Sequence, residues 1–217
     1  MTVVLHDIFE ISSARAVYLR LIGEGARAAG MDRDPWAAAE EALRPAREIR
    51  AEGKVVPGGT RVVLAWRGAG RGEGSEGLLL QDPAGEWFPL RRLPEALAAW
   101  GERAAGWAAG AARVELQAIR GPEGVSVLWA GAWGGGHLMV EAAPDPEGAV
   151  VRAERLRTRS PIGPEEAAAL RAAAGETARD LQVCAGERLL EGRWRAPGQS
   201  PLAAVEAAVR ALTGGRP

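Results

Sequence analysis

The chain has 217 residues, 47% hydrophobic and 25% charged, with a formal net charge of −1. That is enough apolar material for the core of one large domain, or of one domain with an appendage, while the near-neutral charge excludes a global field for nucleic acid or an anionic membrane. A single cysteine, Cys184, excludes an intrachain disulfide, no stretch approaches the roughly 18 apolar residues of a membrane span, and the start from Met1 to Asp7 lacks the pattern of a signal peptide, so a cytoplasmic protein is expected.

In chain order, Ile8, Ile11, Ala14, Tyr18, Leu21 and Ile22 recur at helical spacing and predict a helix over residues 7–29. A second helix is expected over 35–52. Asp34 can cap it, Pro35 takes the first position where its missing N–H costs nothing, and Pro45 interrupts it. Residues 55–59 read as a connector, and 61–66, 77–81 and 86–90 as strands. Pro94 opens a helix whose apolar stripe is Leu97, Trp100, Ala104 and Trp107. From Arg113 to Ala118 polar and apolar residues alternate strictly, as they do in a sheet with one wet face. Turns at 121–124, 131–136 and 145–148 separate further strands through Val125, Val127 and Trp129, through Leu138, Val140 and Ala142, and over 149–158. Pro164-Glu165-Glu166 starts a helix with acids placed favourably against the macrodipole. A hairpin follows over 181–185 and 188–195. Ser200-Pro201 then caps a last helix with Leu202, Val205, Val209 and Leu212 inward and Gly214-Gly215 at its end.

This order predicts an α+β fold: an antiparallel β-sheet meander packed with helices, preceded by an N-terminal helical pair. The expected division is a helical segment over 1–56 and a sheet domain over 57–217, separate or continuous with one another. Two strands and a proline-initiated helix recur near 61–109 and again at 181–213, which points to one continuous antiparallel sheet. The sequence helix (93–109), strands (112–158), helix (164–177), two strands (181–195), helix (200–213) resembles the type III secretion chaperone fold and the related YbjN-like proteins. The strand at 149–158 is an addition to the simplest form of that pattern. The resemblance implies a non-enzymatic protein, often a homodimer, that binds a partner polypeptide; YbjN-like proteins are linked to signalling and stress regulation. It is one of topology, so it assigns no site residues.

Few residues offer chemistry. Gly72 to Gly77 matches G-x-G-x-x-G, but a dinucleotide fingerprint must open a helix, and Leu78-Leu79-Leu80-Gln81 reads as a strand. A hairpin loop is the expectation. Cys184 and His137 are the one available thiol–imidazole pair, and Cys184 sits in an apolar strand as a small hydrophobe. His6, Asp7 and Glu10 lie close together on the first expected helix, yet two histidines in the chain supply few ligands for a metal. No catalytic residue, cofactor or metal is therefore expected.

The candidates for partner contact are aromatic and basic. Eight tryptophans stand against one tyrosine and two phenylalanines. Trp100, Trp107, Trp66 and Trp129 fall on inward faces. Trp133 sits in a glycine-rich hairpin tip, either folded back on the sheet or held out for a partner. Basic charge is almost all arginine, because Lys54 is the only lysine and asparagine is absent, as codon bias would produce. Arg155, Arg157 and Arg159 alternate along one strand, and Arg193 and Arg195 flank Trp194 on another. Binding of a protein or peptide, by a homodimer, is the first reading. The alternative is an arginine–tryptophan sheet face for single-stranded nucleic acid, set against a plain charged outer face that guards an edge. An enzyme of unknown class comes last.

Overall fold

The computed structural model describes residues 2–9, 17–19, 36–37, 40, 43–44, 48–56, 59–67, 77–175, 182–185 and 188–214. In chain order the elements are β1 (Thr2–Phe9), β2 (Val17–Leu19), β3 (Glu48–Val56), β4 (Thr60–Arg67), β5 (Leu79–Gln81), β6 (Trp87–Pro89) and α1 (Leu93–Gly106), entered through a short 3-10 turn at Leu90–Arg92. Then come β7 (Arg113–Gly121), β8 (Gly124–Trp133), β9 (Gly136–Asp145), β10 (Gly148–Arg157), α2 (Pro164–Ala174), β11 (Gln182–Ala185), β12 (Leu189–Pro197) and α3 (Pro201–Thr213). One sheet runs β11-β12-β10-β9-β8-β7-β4-β3-β1-β2, and β5 and β6 pair separately. No helix among the described residues is long and apolar enough to cross a membrane.

The α+β class and the antiparallel meander from β7 to β10 stand as expected. One junction differs. β4 and β7 lie parallel, with Val62 opposite Leu116. Parallel neighbours need a long crossover, and here it carries β5, β6 and α1. The two β-β-α units of the sequence are therefore not equivalent, since the first spends its second strand on the small β5–β6 ribbon.

The N-terminal half departs most from expectation. Where a helix was predicted from residue 7, β1 and β2 pair with each other, and β1 pairs along β3. Thr2-Val3-Val4 is β-branched, and such side chains favour extended backbone. The rest of 7–29 lies outside the described residues. Of the second helix, Trp36, Ala37, Glu40 and Leu43 are helical, and the Arg44 N–H donates to the Glu40 carbonyl at 3.0 Å. By Glu48 the chain is already a strand. Ile49, Ala51 and Gly53 are buried while Arg50 and Glu52 are partly exposed, a period of two inside the range read as helix. The boundary drawn at residue 56 falls inside a hairpin, because Val55 of β3 pairs with Thr60 of β4.

Alternation places one set of side chains on a single face across seven strands. Gly192, Ala153, Val140, Trp129, Leu116, Val62 and Gly53 are successive cross-strand partners, and all seven are buried. The adjacent row is Trp194, Val151, Ala142, Val127, Ala118, Leu64 and Ala51. On this face α1 lies over β3, β4 and β7, α3 over β8, β9 and β10, and α2 against α3 and β12. Leu93, Leu97, Trp100 and Ala104 of α1 and Leu202, Val205, Val209 and Leu212 of α3 complete the core. Each such leucine or valine contributes roughly 1.5–3 kcal/mol on burial. Two strand glycines make room for this packing. A Cβ on Gly131 would stand 2.2 Å from the Trp129 ring, and one on Gly192 would stand 2.5 Å from Leu170 of α2. Ser200 caps α3 by accepting the Ala203 N–H at 3.3 Å, and Gly214 closes it in the left-handed region.

Candidate functional site

Three of the residues singled out from sequence meet at one end of the helix-covered face. Trp133 ends β8, and the β8–β9 turn returns the chain so that it pairs with Gly136. Its ring folds back on Trp129, with centroids 6.2 Å apart, and its indole N–H points at the Ala109 carbonyl at 3.5 Å. Across the same end, Arg155 pairs with Leu138 and Arg157 with Gly136. Both arginines therefore project from the core face where the apolar row runs out. Together with His137 and Thr213 they line a cavity of about 230 Å³.

Glu166, in the first turn of α2 and only 8% exposed, lies behind the two guanidinium groups. Its Oε1 lies 2.7 Å from Arg155 Nε, and accepts from Arg157 Nε at 3.0 Å with Nη2 at 2.8 Å. Its Oε2 accepts the Gly163 N–H at 3.2 Å. Burial alone would raise the Glu166 carboxyl, but the hydrogen bonds from Arg157 and Gly163 and the charges of both arginines outweigh it and hold it below the usual range. Arg155 is pushed the other way, down, chiefly by burial and further by Arg157, against the pull of Glu166. Its Nη1 also donates to the Leu212 carbonyl in the last turn of α3 at 2.9 Å.

The remaining candidates do not join this group. Trp194 is 3% exposed and belongs to the core. Arg193 and Arg195 project from the opposite, outer face, because they alternate with buried Gly192, Trp194 and Ala196. Arg159 lies beyond the end of β10 and is exposed. The arginines and tryptophan of the alternative, single-stranded nucleic-acid reading thus do not share one surface. Its arginines divide between two faces of the sheet, and one of its rings is inside. A stacking platform needs both on one surface.

The outer face holds what the sequence reading passed over. Leu128, Ala130, Ala132, Met139, Ala143 and Val150 occupy its centre and are partly exposed. At its edges the charges pair. Arg61 binds Glu52 at 2.6 Å and Glu115 at 3.0 Å, and it is held above its usual range first by the Glu52 hydrogen bond. On the other side Arg152 lies 3.1 Å from Glu191. Beside the first of these edges lies a trough of about 580 Å³, lined by Ala130 and Ala132 together with Arg61, Arg113, Glu115, His137 and Met139. Its signal was present in the sequence: at the wet positions of β8 and β9, alanine, leucine and methionine stand where β10 and β12 carry arginine and glutamate.

Strand order also separates the thiol and the imidazole. Cys184 on β11 pairs with Glu191 on β12, Glu191 with Glu154 on β10, and Glu154 with Met139 on β9. Three strand spacings of about 4.8 Å put β11 and the β9 backbone near 14 Å apart, too far for a hydrogen bond between them. His6 and Asp7 lie on β1 rather than on a helix, and Glu10 lies outside the described residues. No group of three histidine, cysteine or acidic side chains among the described residues has metal-holding geometry. Of the glycine-rich segment, Gly77 is described, and it leads into β5, not into a helix. Comparison with protein-family models, with curated proteins and with solved structures finds nothing that matches this chain.

Proposed function

We propose that this protein binds an extended, apolar segment of a partner polypeptide on the outer face of its sheet, as a homodimer and without catalysing a reaction. Partner-polypeptide binding by a non-enzymatic homodimer is what the resemblance to secretion chaperones and YbjN-like proteins implies, and a role in signalling or stress regulation follows from the same reading. The observation that carries it is the trough between Arg61 and Met139. Its floor is made of methyl groups, which leave depth for a partner's larger side chains. Its rim carries both signs of charge, in Arg61, Arg113 and Glu115. Extended peptides are recognised on strand-rich surfaces through such apolar depressions, and a polar rim around an apolar centre is the common anatomy of a protein interface.

Fluorescence anisotropy with labelled, extended peptides rich in leucine and phenylalanine tests this. The intact protein binds at micromolar concentration, and Ala130→Glu or Ala132→Glu weakens binding by about tenfold or more, since each buries a charge under the peptide. Trp133→Ala, on the other face, leaves it unchanged. Equal binding by the alanine-to-glutamate variants, or no binding by the intact protein up to millimolar peptide, overturns the proposal. Light scattering at the same concentrations reads the dimer.

A further inference from the structure

We infer that the cavity between Trp133 and the Arg155–Arg157 pair is a binding site for a small organic monocarboxylate, the guanidinium groups taking the acid and the indole taking its apolar remainder. This cavity opens at the end of the helix-covered face, and it shares only His137 with the lining of the outer-face trough.

Charge is the first ground. Two guanidinium groups meet one carboxylate, and Glu166 is behind them, not among the residues that line the cavity. Glu166 is also fully engaged, since Oε1 serves both arginines and Oε2 serves the Gly163 N–H. Among the described residues, one positive charge thus has no carboxylate of its own in a half-buried place, where a charge without a partner is costly.

Geometry is the second. Arg157 uses Nε and Nη2 on Glu166, and its Nη1 has no hydrogen-bond partner among the described residues. That nitrogen stands over Gly135, 3.9 Å from where a Cβ would be. A glycine at 135 leaves the approach to it open. The planar guanidinium fork matches a carboxylate in its own plane. Glu166 holds both forks in place before any ligand arrives, so little side-chain freedom is lost on binding.

The remaining walls set the rest of the ligand. Trp133 and Ala109 supply apolar surface. About 230 Å³ falls below the ~300 Å³ at which drug-sized pockets begin, so an acid with one ring or one branched chain fits. A dianion such as phosphate is disfavoured. The excess is a single positive charge, and the last carbonyls of α3, the negative end of its dipole, reach Arg155 through Leu212.

Isothermal titration of the full chain with N-acetyl-L-phenylalanine, with its amide and with inorganic phosphate tests the site. The acid binds, and the amide and phosphate bind at least about tenfold more weakly. A short peptide ending in a free phenylalanine carboxylate forms a further arm. Binding equal to the acid identifies a polypeptide terminus as the source, and weaker binding identifies a free acid; the carboxylate site stands in both. Arg157→Lys, which keeps the charge and loses the fork, weakens the acid by about tenfold. Should that variant unfold, Gly135→Leu provides the second reading, because it fills the cavity without touching Glu166 and removes binding at unchanged thermal stability. Equal binding of acid and amide, tighter binding of phosphate, undiminished binding by Gly135→Leu, or no heat with the acid at ten millimolar overturns the assignment.

Discussion

Trp129 and Leu128 are neighbours in the chain and belong to different environments. Trp129 points into the helix-covered face, is fully buried and gives its N–H to the Ala104 carbonyl of α1 at 2.9 Å. Leu128 points to the outer face and remains partly exposed. The same alternation builds both faces, yet the two do different work. The covered face is filled by large side chains locked against helices, with glycines placed where a helix or ring comes close. The outer face has small apolar groups in its centre and paired charges at its edges. Across β8, β9 and β10 burial is concentrated on one side of the sheet, whereas at β4 Val63 and Ala65 are buried on the outer side as well.

The sharpest break of this contrast is Trp129→Ala. It removes the largest side chain of the central row, together with the hydrogen bond that ties β8 to α1. Truncation of a buried tryptophan costs about 3–5 kcal/mol. The expected result is a large fall in the urea midpoint with the cooperative transition retained. A loss below about 1 kcal/mol would mean that the two faces do not differ in the way described.

Next in size is Glu166→Gln, which leaves two guanidinium groups facing a neutral amide. Hydrogen bonds to charged groups contribute about 1.5–3 kcal/mol, and the partial exposure of Arg155 and Arg157 places the loss near the lower end. Acid reads this cluster together with a second one around Glu206. The carboxyls of Glu166 and of Glu206 lie below the ordinary value of 4.5 in the folded protein. For Glu206 burial acts upward, but Arg103 at 2.9 Å and Arg210 at 3.0 Å outweigh it. A depressed folded value means that the unfolded chain takes up protons first. The stabilisation is therefore complete above about pH 4.5 and is lost as pH falls through the lower folded values. Urea midpoints between pH 7 and pH 3 should fall on the acid side, and less steeply in Glu166→Gln than in the intact chain.

The C-terminal half was legible because its signals agree. Strict alternation, glycine turns between successive strands and proline-initiated helices agree with one another from Arg113 to Thr213. The N-terminal half sends mixed signals. Ile49, Ala51 and Gly53 alternate, but they follow a proline-capped helical stretch whose periodicity masks the change to a period of two. The parallel β4–β7 junction leaves a weaker trace: Val62-Val63-Leu64-Ala65-Trp66 is apolar throughout and buried on both sides, as a continuous apolar run implies. Of the candidate site, Trp133, Arg155 and Arg157 were named, but not their company. Their meeting depends on register, which puts Arg157 opposite Gly136, and on Glu166 arriving from α2. Neither can be read from spacing along the chain. Arg193 and Arg195 misled for the same reason, since a strand's parity, and not its composition, decides which face its charges occupy.

The smallest effect is the most telling about the outer face. Leu128→Ala removes three carbons from a position already in partial contact with water. Full burial of a leucine contributes roughly 1.5–3 kcal/mol, so a partly exposed one should lose about 1 kcal/mol or less. Trp129, one residue away, should lose several times more. If a peptide seated in the trough continues across the apolar centre of the outer face, the same Leu128→Ala substitution weakens peptide binding while barely moving the urea midpoint, because its contact area counts mainly in the complex. Ratios of binding loss to stability loss can then be set side by side for the two neighbours: high at Leu128 and low at Trp129. A Leu128→Ala variant that loses as much stability as Trp129→Ala would show that the outer face is already covered in the free protein, and the division of labour between the two sides of the sheet would fail.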